Sequence, residues 1–271
     1  MKELRCCIDS IQKKTTYPNY EIVIVDNGST QEELFRYYAQ LEQQEGIRIL
    51  HWDHPFHYSA INNYGVSQAQ GEYIVLLNND TEVITPGWLQ EMLMYAQRED
   101  VGAVGAKLLY EDDTIQHAGI VIGMGADRAA GHCFYRLNKQ DIGYMGRLHY
   151  AQNVSAVTAA CLMVKKSDYE KVHGLDEDFA VAYNDVDFCL KLRSIGLLNV
   201  FTPYAGLYHY ESKTRGYEDT PEKQMRFQKE VRLFREKWQS VIDAGDPYFN
   251  PELDLYDSNF KPKSSYIPVV R

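Results

Sequence analysis

The chain has 271 residues, 45% hydrophobic and 24% charged, which matches an ordinary globular protein and excludes disorder as the bulk reading. With 28 basic residues against 38 acidic ones the formal charge is −10, which argues against a grip on nucleic acid through a broad basic face. An anionic ligand would therefore need something other than net charge to neutralise it. The five cysteines at 6, 7, 133, 161 and 189 form no Cys-x-x-Cys pair, so they suggest neither a disulfide framework nor a zinc ribbon, and point to a reducing compartment. No window approaches ~18 consecutive apolar residues, and the start at Met1 lacks the apolar core of a signal peptide. The expectation is a soluble, cytoplasmic chain.

Residues 21–26 (Glu-Ile-Val-Ile-Val-Asp) are a short β-branched run that stops at Asn27-Gly28-Ser29, as a buried strand ending in a turn would. A helix is predicted over 31–44. Further apolar runs at 47–52, 73–77 and 101–108 alternate with helical stretches at 59–70 and 86–98, the pattern of βαβ units around a mainly parallel sheet. Residues 110–150, rich in Gly, His and Tyr, read as loop. A strand at 155–165, a short helix from Ser167, a helix over 185–195 closed by Gly196 and a strand at 198–201 follow. Thr220-Pro221 is a cap followed by proline at the first helical position, and Phe227, Val231, Phe234 and Trp238 continue as one apolar stripe. The turn-rich residues from Asp243 onward read as a surface tail.

In an open α/β sheet, ligands collect at the carboxyl ends of strands, and two predicted strand ends carry polar clusters, 26–29 and 78–80. A carboxylate there, Asp80, suits Mg²⁺ or Mn²⁺, which take oxygen donors and complete their shells with substrate phosphates. Taken singly, Asn78-Asn79-Asp80 is more often just a turn, and Asn27-Gly28-Ser29, a common loop sequence, has the same ambiguity. Residues 183–187 (Tyr-Asn-Asp-Val-Asp) open a helix, where a carboxylate either caps the backbone or points into a cleft as a general base. His209, among aromatics after a strand, reads as either a structural histidine or a metal ligand.

Four motifs in order, EIVIVDNGST (21–30), GEYIVLLNND (71–80), HGLDEDF through YNDVDFCLKLRSIG (173–196) and LYHYESKTRG (207–216), resemble the family 2 inverting glycosyltransferases. The resemblance covers most of the chain. It is closest in character to the bacterial branch that builds cell-surface polysaccharides such as rhamnans. It implies a GT-A type fold, a nucleotide-diphosphate sugar donor carrying UDP or dTDP, a saccharide or lipid-linked saccharide acceptor, and Mn²⁺ or Mg²⁺. By the resemblance, Asp26, Asn27, Gly28, Asn63, Asn78 and Asn79 would contact the nucleotide, Asp80 and His209 would hold the metal, and Asp185 would be the catalytic base. Asn184 stands where the family usually has Glu. Trp88, Tyr183 and the 158–161 segment would bear the acceptor, and Arg215 would reach the diphosphate after a loop closes.

The same resemblance divides the chain into a catalytic region, 1–216 (nucleotide-binding half 1–109, acceptor-binding half 110–216), and a C-terminal helix and tail, 217–271. It also implies that the family's opening strand is missing ahead of the first helix, so that another strand, a second copy or another chain would cover that place. Two readings follow: an active enzyme at the inner face of the membrane, or an impaired remnant of the same fold that no longer binds donor. Nucleotidyl transfer is disfavoured, because no Gly-rich phosphate loop follows a first strand.

Overall fold

A computed structural model describes residues 1–210 and 220–263. Helix α1 (Lys2–Lys14) buries Leu4, Cys7, Ile8 and Ile11, a spacing of three, one and three that lays one apolar face on the sheet. Strand β1 (Ile22–Asp26) crosses through α2 (Glu32–Leu41) to a parallel partner, β2 (Ile47–His51), in register Ile22 to Ile47. Helix α3 (Tyr58–Gln68) leads into β3 (Tyr73–Leu77), and a turn joins that strand to β4 (Thr81–Val83). Helix α4 (Trp88–Ala96) precedes β5 (Val101–Leu109), in which every residue but Lys107 is buried.

The stretch expected to be loop holds short strands β6 (Ile115–His117), β7 (Ile120–Ile122) and β8 (Ala130–His132). Next come β9 (Gln152–Val154), β10 (Cys161–Lys165), α5 (Lys166–Lys171), α6 (Asn184–Ser194), β11 (Leu198–His209) and α7 (Pro221–Ala244). Strand β11 runs well past the predicted 198–201. Pro203, which has no N–H to give, interrupts its apolar pattern, and a register shift between Thr202 and Gly206 absorbs the break.

The main sheet has the order β3-β10-β5-β11-β4, with β6 added to β5 and β9 to β11. The α/β class stands, but the strand directions are mixed. β5 and β11 are parallel, β10 is antiparallel to both β3 and β5, and β4 is antiparallel to β11. The long 110–160 connection explains this: β10 is not reached by a short crossover helix and enters the sheet from the opposite end.

β1 pairs with β2 alone and β3 with β10 alone, and among the described residues no strand pairs with their other edges. Glu21 ties the two units together: its Oε1 accepts from the backbone N–H groups of Gln70 and Gly71, and its Oε2 from Arg48. Among the described residues no helix is long and apolar enough to cross a membrane.

α7 is not peripheral. Phe234 is fully buried in the same core as Phe179, Val186, Phe188 and Phe201. In the centre of the sheet Gly105 lies so close to Val157 that an added Cβ would sit 2.4 Å from the valine Cβ. Gly105→Ala is therefore expected to overpack the core and destabilise the fold by about 2 kcal/mol, lowering the midpoint of thermal unfolding by about 5 °C in calorimetry.

Candidate active site

The antiparallel register of β4 on β11 sets Thr81 opposite His209, so the residue before one strand meets the last residue of the other. Asp80 Oδ1 lies 3.1 Å from His209 Nε2, and Tyr210 N–H closes the corner on Asp80 O. On the far side of the imidazole, Nδ1 is 2.7 Å from the buried Gln116 Oε1, while Asn78 Nδ2 is 3.1 Å from Nε2. With Nδ1 donating to Gln116, Nε2 presents one lone pair, which the Asn78 amide N–H meets and which a bound cation would take in its place.

That donor set fits a divalent cation. Two adjacent ligands of an octahedral ion with ~2.1 Å bonds stand about 3 Å apart, close to the observed separation of Nε2 and Oδ1. The Gln116 contact supplies the outer hydrogen bond that orients metal-binding histidines. Among the described residues no group of three or more His, Cys, Asp or Glu gathers here, so Asp80 and His209 would supply two of the six positions of such an ion.

Asn78 links this corner to the start of α6. Its backbone N–H donates to Ala160 O, continuing the β3–β10 pairing, and the Tyr58 hydroxyl lies 3.3 Å from Asn78 Oδ1 and 3.1 Å from Ala159 O. Ala159 N–H in turn donates to Asp185 Oδ2 at 3.1 Å, and Val186 N–H to Asp185 Oδ1 at 2.8 Å. Burial, with Asp185 and Asp80 nearby, pushes the Tyr58 hydroxyl far up, so it stays a donor. Asn78, Asp80, His209 and Asp185 therefore belong to one continuous network.

Other expected residues are placed differently. Asp26 is buried at the end of β1, its carboxylate accepting from the Tyr38 hydroxyl at 2.9 Å and from Ser29 N–H at 3.3 Å. Asn27 donates to Trp52 O and His54 O, and Gly28 takes the positive φ of 66° that the turn requires. Asn79 is exposed. Asn63 faces the 169–177 segment, its amide taken by Leu175, Glu177 and the Tyr169 hydroxyl.

Trp88 is a correction: it is 2% exposed, lies in the core behind the sheet and donates its indole N–H to Thr15 Oγ1, so it offers no face to a sugar. Tyr183 and Asn184 also serve the protein itself. The Tyr183 ring stacks on Phe234 and Phe227, and the buried Asn184 amide donates to Val181 O. Arg215 lies outside the described residues.

Sequence reasoning missed Tyr58, Gln116 and Tyr38. A tyrosine at a helix start and a glutamine beside a histidine carry no signal until the chain is folded. It also missed His117, which is wholly enclosed. Its Nε2 accepts from Gly119 and Thr158 N–H, both at 3.4 Å, and its Nδ1 lies 3.0 Å from His132 Nδ1.

Residues 2–172 match the family described as Glycosyl transferase family 2. The chain belongs to that family. Uncharacterized protein y4gI of Sinorhizobium fredii (strain NBRC 101917 / NGR234) is 47% identical over 259 residues, 95% of this chain and 28% of its own length. O-antigen biosynthesis protein RfbC of Myxococcus xanthus is 42% identical over 255 residues, 93% of this chain and 19% of its own. The chain thus spans less than a third of either relative. Among solved structures, GalNAc-T7 with UDP, GalNAc and Mn²⁺ superposes with a TM-score of 0.67 over 89% of this chain and 46% of that one. At 15% identity that likeness shows the fold, which is of the GT-A type. The family match ends before Asp185 and His209, so their place beside Asn78 rests on the β11 register and the Ala159 contact.

Burial first, then His132 and His209, hold the His117 pKa well below the ordinary value. The folded state keeps His117 neutral, whereas the unfolded chain protonates it below pH ~6.5. Its stability contribution is therefore present above that pH and lost as pH falls, at up to ~1.4 kcal/mol per pH unit. Thermal unfolding followed between pH 7.5 and 5.5 should show a shallower decline in His117→Gln than in the parent.

Proposed function

We propose that this chain transfers a glycosyl group, with inversion, from a UDP- or dTDP-sugar to a saccharide or lipid-linked saccharide acceptor during cell-surface polysaccharide assembly. The observation that carries this reading is the Asn78 network, which links Asp80 and His209 to Asp185. Family membership and the O-antigen biosynthesis relative support the reaction class and its setting. The complex of GalNAc-T7 with UDP and Mn²⁺ supports the donor type and the cation. The reaction would take place at the cytoplasmic face of the membrane, where lipid-linked acceptors are extended.

In this reading Asp80 and His209 hold Mn²⁺ or Mg²⁺, with Gln116 fixing the imidazole. When bound, the ion neutralises charge on the departing diphosphate, which a protein of net charge −10 needs. Asp185 takes the proton of the acceptor hydroxyl as that oxygen attacks the anomeric carbon from the side opposite the diphosphate. One displacement inverts the configuration. The N–H groups of Ala159 and Val186 hold one carboxylate orientation through that step, so the base meets the acceptor already aimed.

Transfer from a panel of UDP- and dTDP-hexoses with Mn²⁺ should be slowed at least ~100-fold by Asp185→Asn, the range expected for loss of a general base. Parental rates in that variant would sink the base assignment. In calorimetry, UDP should bind with Mn²⁺, and Asp80→Ala should abolish the metal-dependent part of the affinity. A parent chain that binds neither UDP nor dTDP would be the remnant of the fold, without donor affinity.

A further inference from the structure

The segment that delivers Asp185 is gripped from one side by α7. The backbone N–H groups of Val181 and Ala182 both donate to one carboxylate, Glu230, at 2.9 Å to Oε1 and 3.1 Å to Oε2. Glu230 is only 3% exposed, with Arg226 one turn earlier at 3.8 Å. A carboxylate withdrawn from water costs several kcal/mol unless partners meet it, and here the two amides, with the Arg226 charge beside them, meet it.

The next residue, Tyr183, has φ 62°, a left-handed conformation that an L side chain adopts only when its surroundings impose it. Its ring stacks on two further α7 residues, Phe234 at 5.0 Å and Phe227 at 6.0 Å between centroids. Beyond Asp185, Asp187 Oδ1 accepts from Trp238 Nε1 at 2.8 Å and pairs with Lys237 Nζ at 2.7 Å, both again from α7. Asp185, at the start of α6, is thus flanked on both sides by residues anchored to α7.

We propose that Glu230 is a positioning residue, whose carboxylate, bridging the Val181 and Ala182 amides, sets the turn from which Asp185 addresses the acceptor hydroxyl. This rests on the reading of Asp185 as base. Glu230 is in contact with no reacting atom in this scheme. It acts through the backbone, where a displacement of about 1 Å at the base can cost up to ~100-fold in rate.

The test compares the parent, Glu230→Gln, which keeps the shape and one accepting oxygen, and Glu230→Ala, in the transfer assay that the parent supports. The expected result is a kcat that falls in that order, at least ~10-fold for Ala, with donor KM and UDP–Mn²⁺ affinity unchanged. In an Asp185→Asn background, Glu230→Ala should cause no further loss, because residues acting through one another are not additive. Amide exchange at Val181 and Ala182 should quicken in both variants while that at Asn78 and Tyr210 stays parental, a readout that needs no substrate.

Parental kcat in folded Glu230→Ala, UDP affinity lost in step with rate, additive losses in the double variant, or uniform exchange across the chain would each overturn the proposal. If Glu230→Ala does not fold, Glu230→Gln carries the same comparisons. Asp185→Asn running at the parental rate would instead remove the base reading itself, an outcome visible before any Glu230 variant is measured.

Discussion

The side-chain amide of Asn78 is the joint on which the candidate site depends. Its N–H₂ group reaches the histidine that ends β11, its carbonyl meets Tyr58, and its backbone continues the β3–β10 ladder. A carboxylate at the same position would put a third acceptor beside His209 and Asp80. An amide can donate to one neighbour and accept from another, so it joins the Asp80–His209 corner to the Ala159 segment without adding negative charge.

The antiparallel pairings give that joint its precision. β4 on β11 fixes the meeting of Asp80 and His209, and β10 on β3 fixes the meeting of Asn78 and Ala160. Residues 131 positions apart thus touch because ladder registers admit only whole-residue steps, each of which would reverse the faces of the strand. α7 adds the third constraint from outside the sheet.

Much of this was legible in the sequence where local pattern and burial agree. The run 73–77 is bounded by Gly71-Glu72 and Asn78-Asn79-Asp80, and it forms β3 over those same five residues. The stripe Phe227, Val231, Phe234 and Trp238 forms α7 as its spacing predicts. Strand direction was not legible, because periodicity is the same for parallel and antiparallel neighbours, and only the long 110–160 connection hinted that β10 could arrive reversed. Trp88 was misread because an aromatic at a helix start looks alike whether it faces a ligand or the core. Glu230 did leave a trace: it falls on the apolar stripe, three residues after Phe227 and four before Phe234, where a charge is costly unless paired. A charged residue on a buried face is the kind of local inconsistency that marks a functional position.

The short ribbon of β1 and β2 has a consequence for how the molecule moves. Two parallel strands of five residues each are marginal by themselves, and their order is borrowed from α1 and α2, which pack Leu4, Ile8, Leu34 and Leu41 around Ile47. Asp26 sits at the tip of this ribbon, whereas Asp80 and His209 meet where β4 pairs with β11 in the seven-stranded sheet and Asp185 lies on α6. The ribbon is tied to the rest of the molecule by Glu21 and by α1, whose Cys7 and Ile11 pack in the core of the main sheet, so the order of Asp26 depends on contacts that both parts share. Loosening either tie would then let Asp26 move relative to the corner formed by Asp80 and His209.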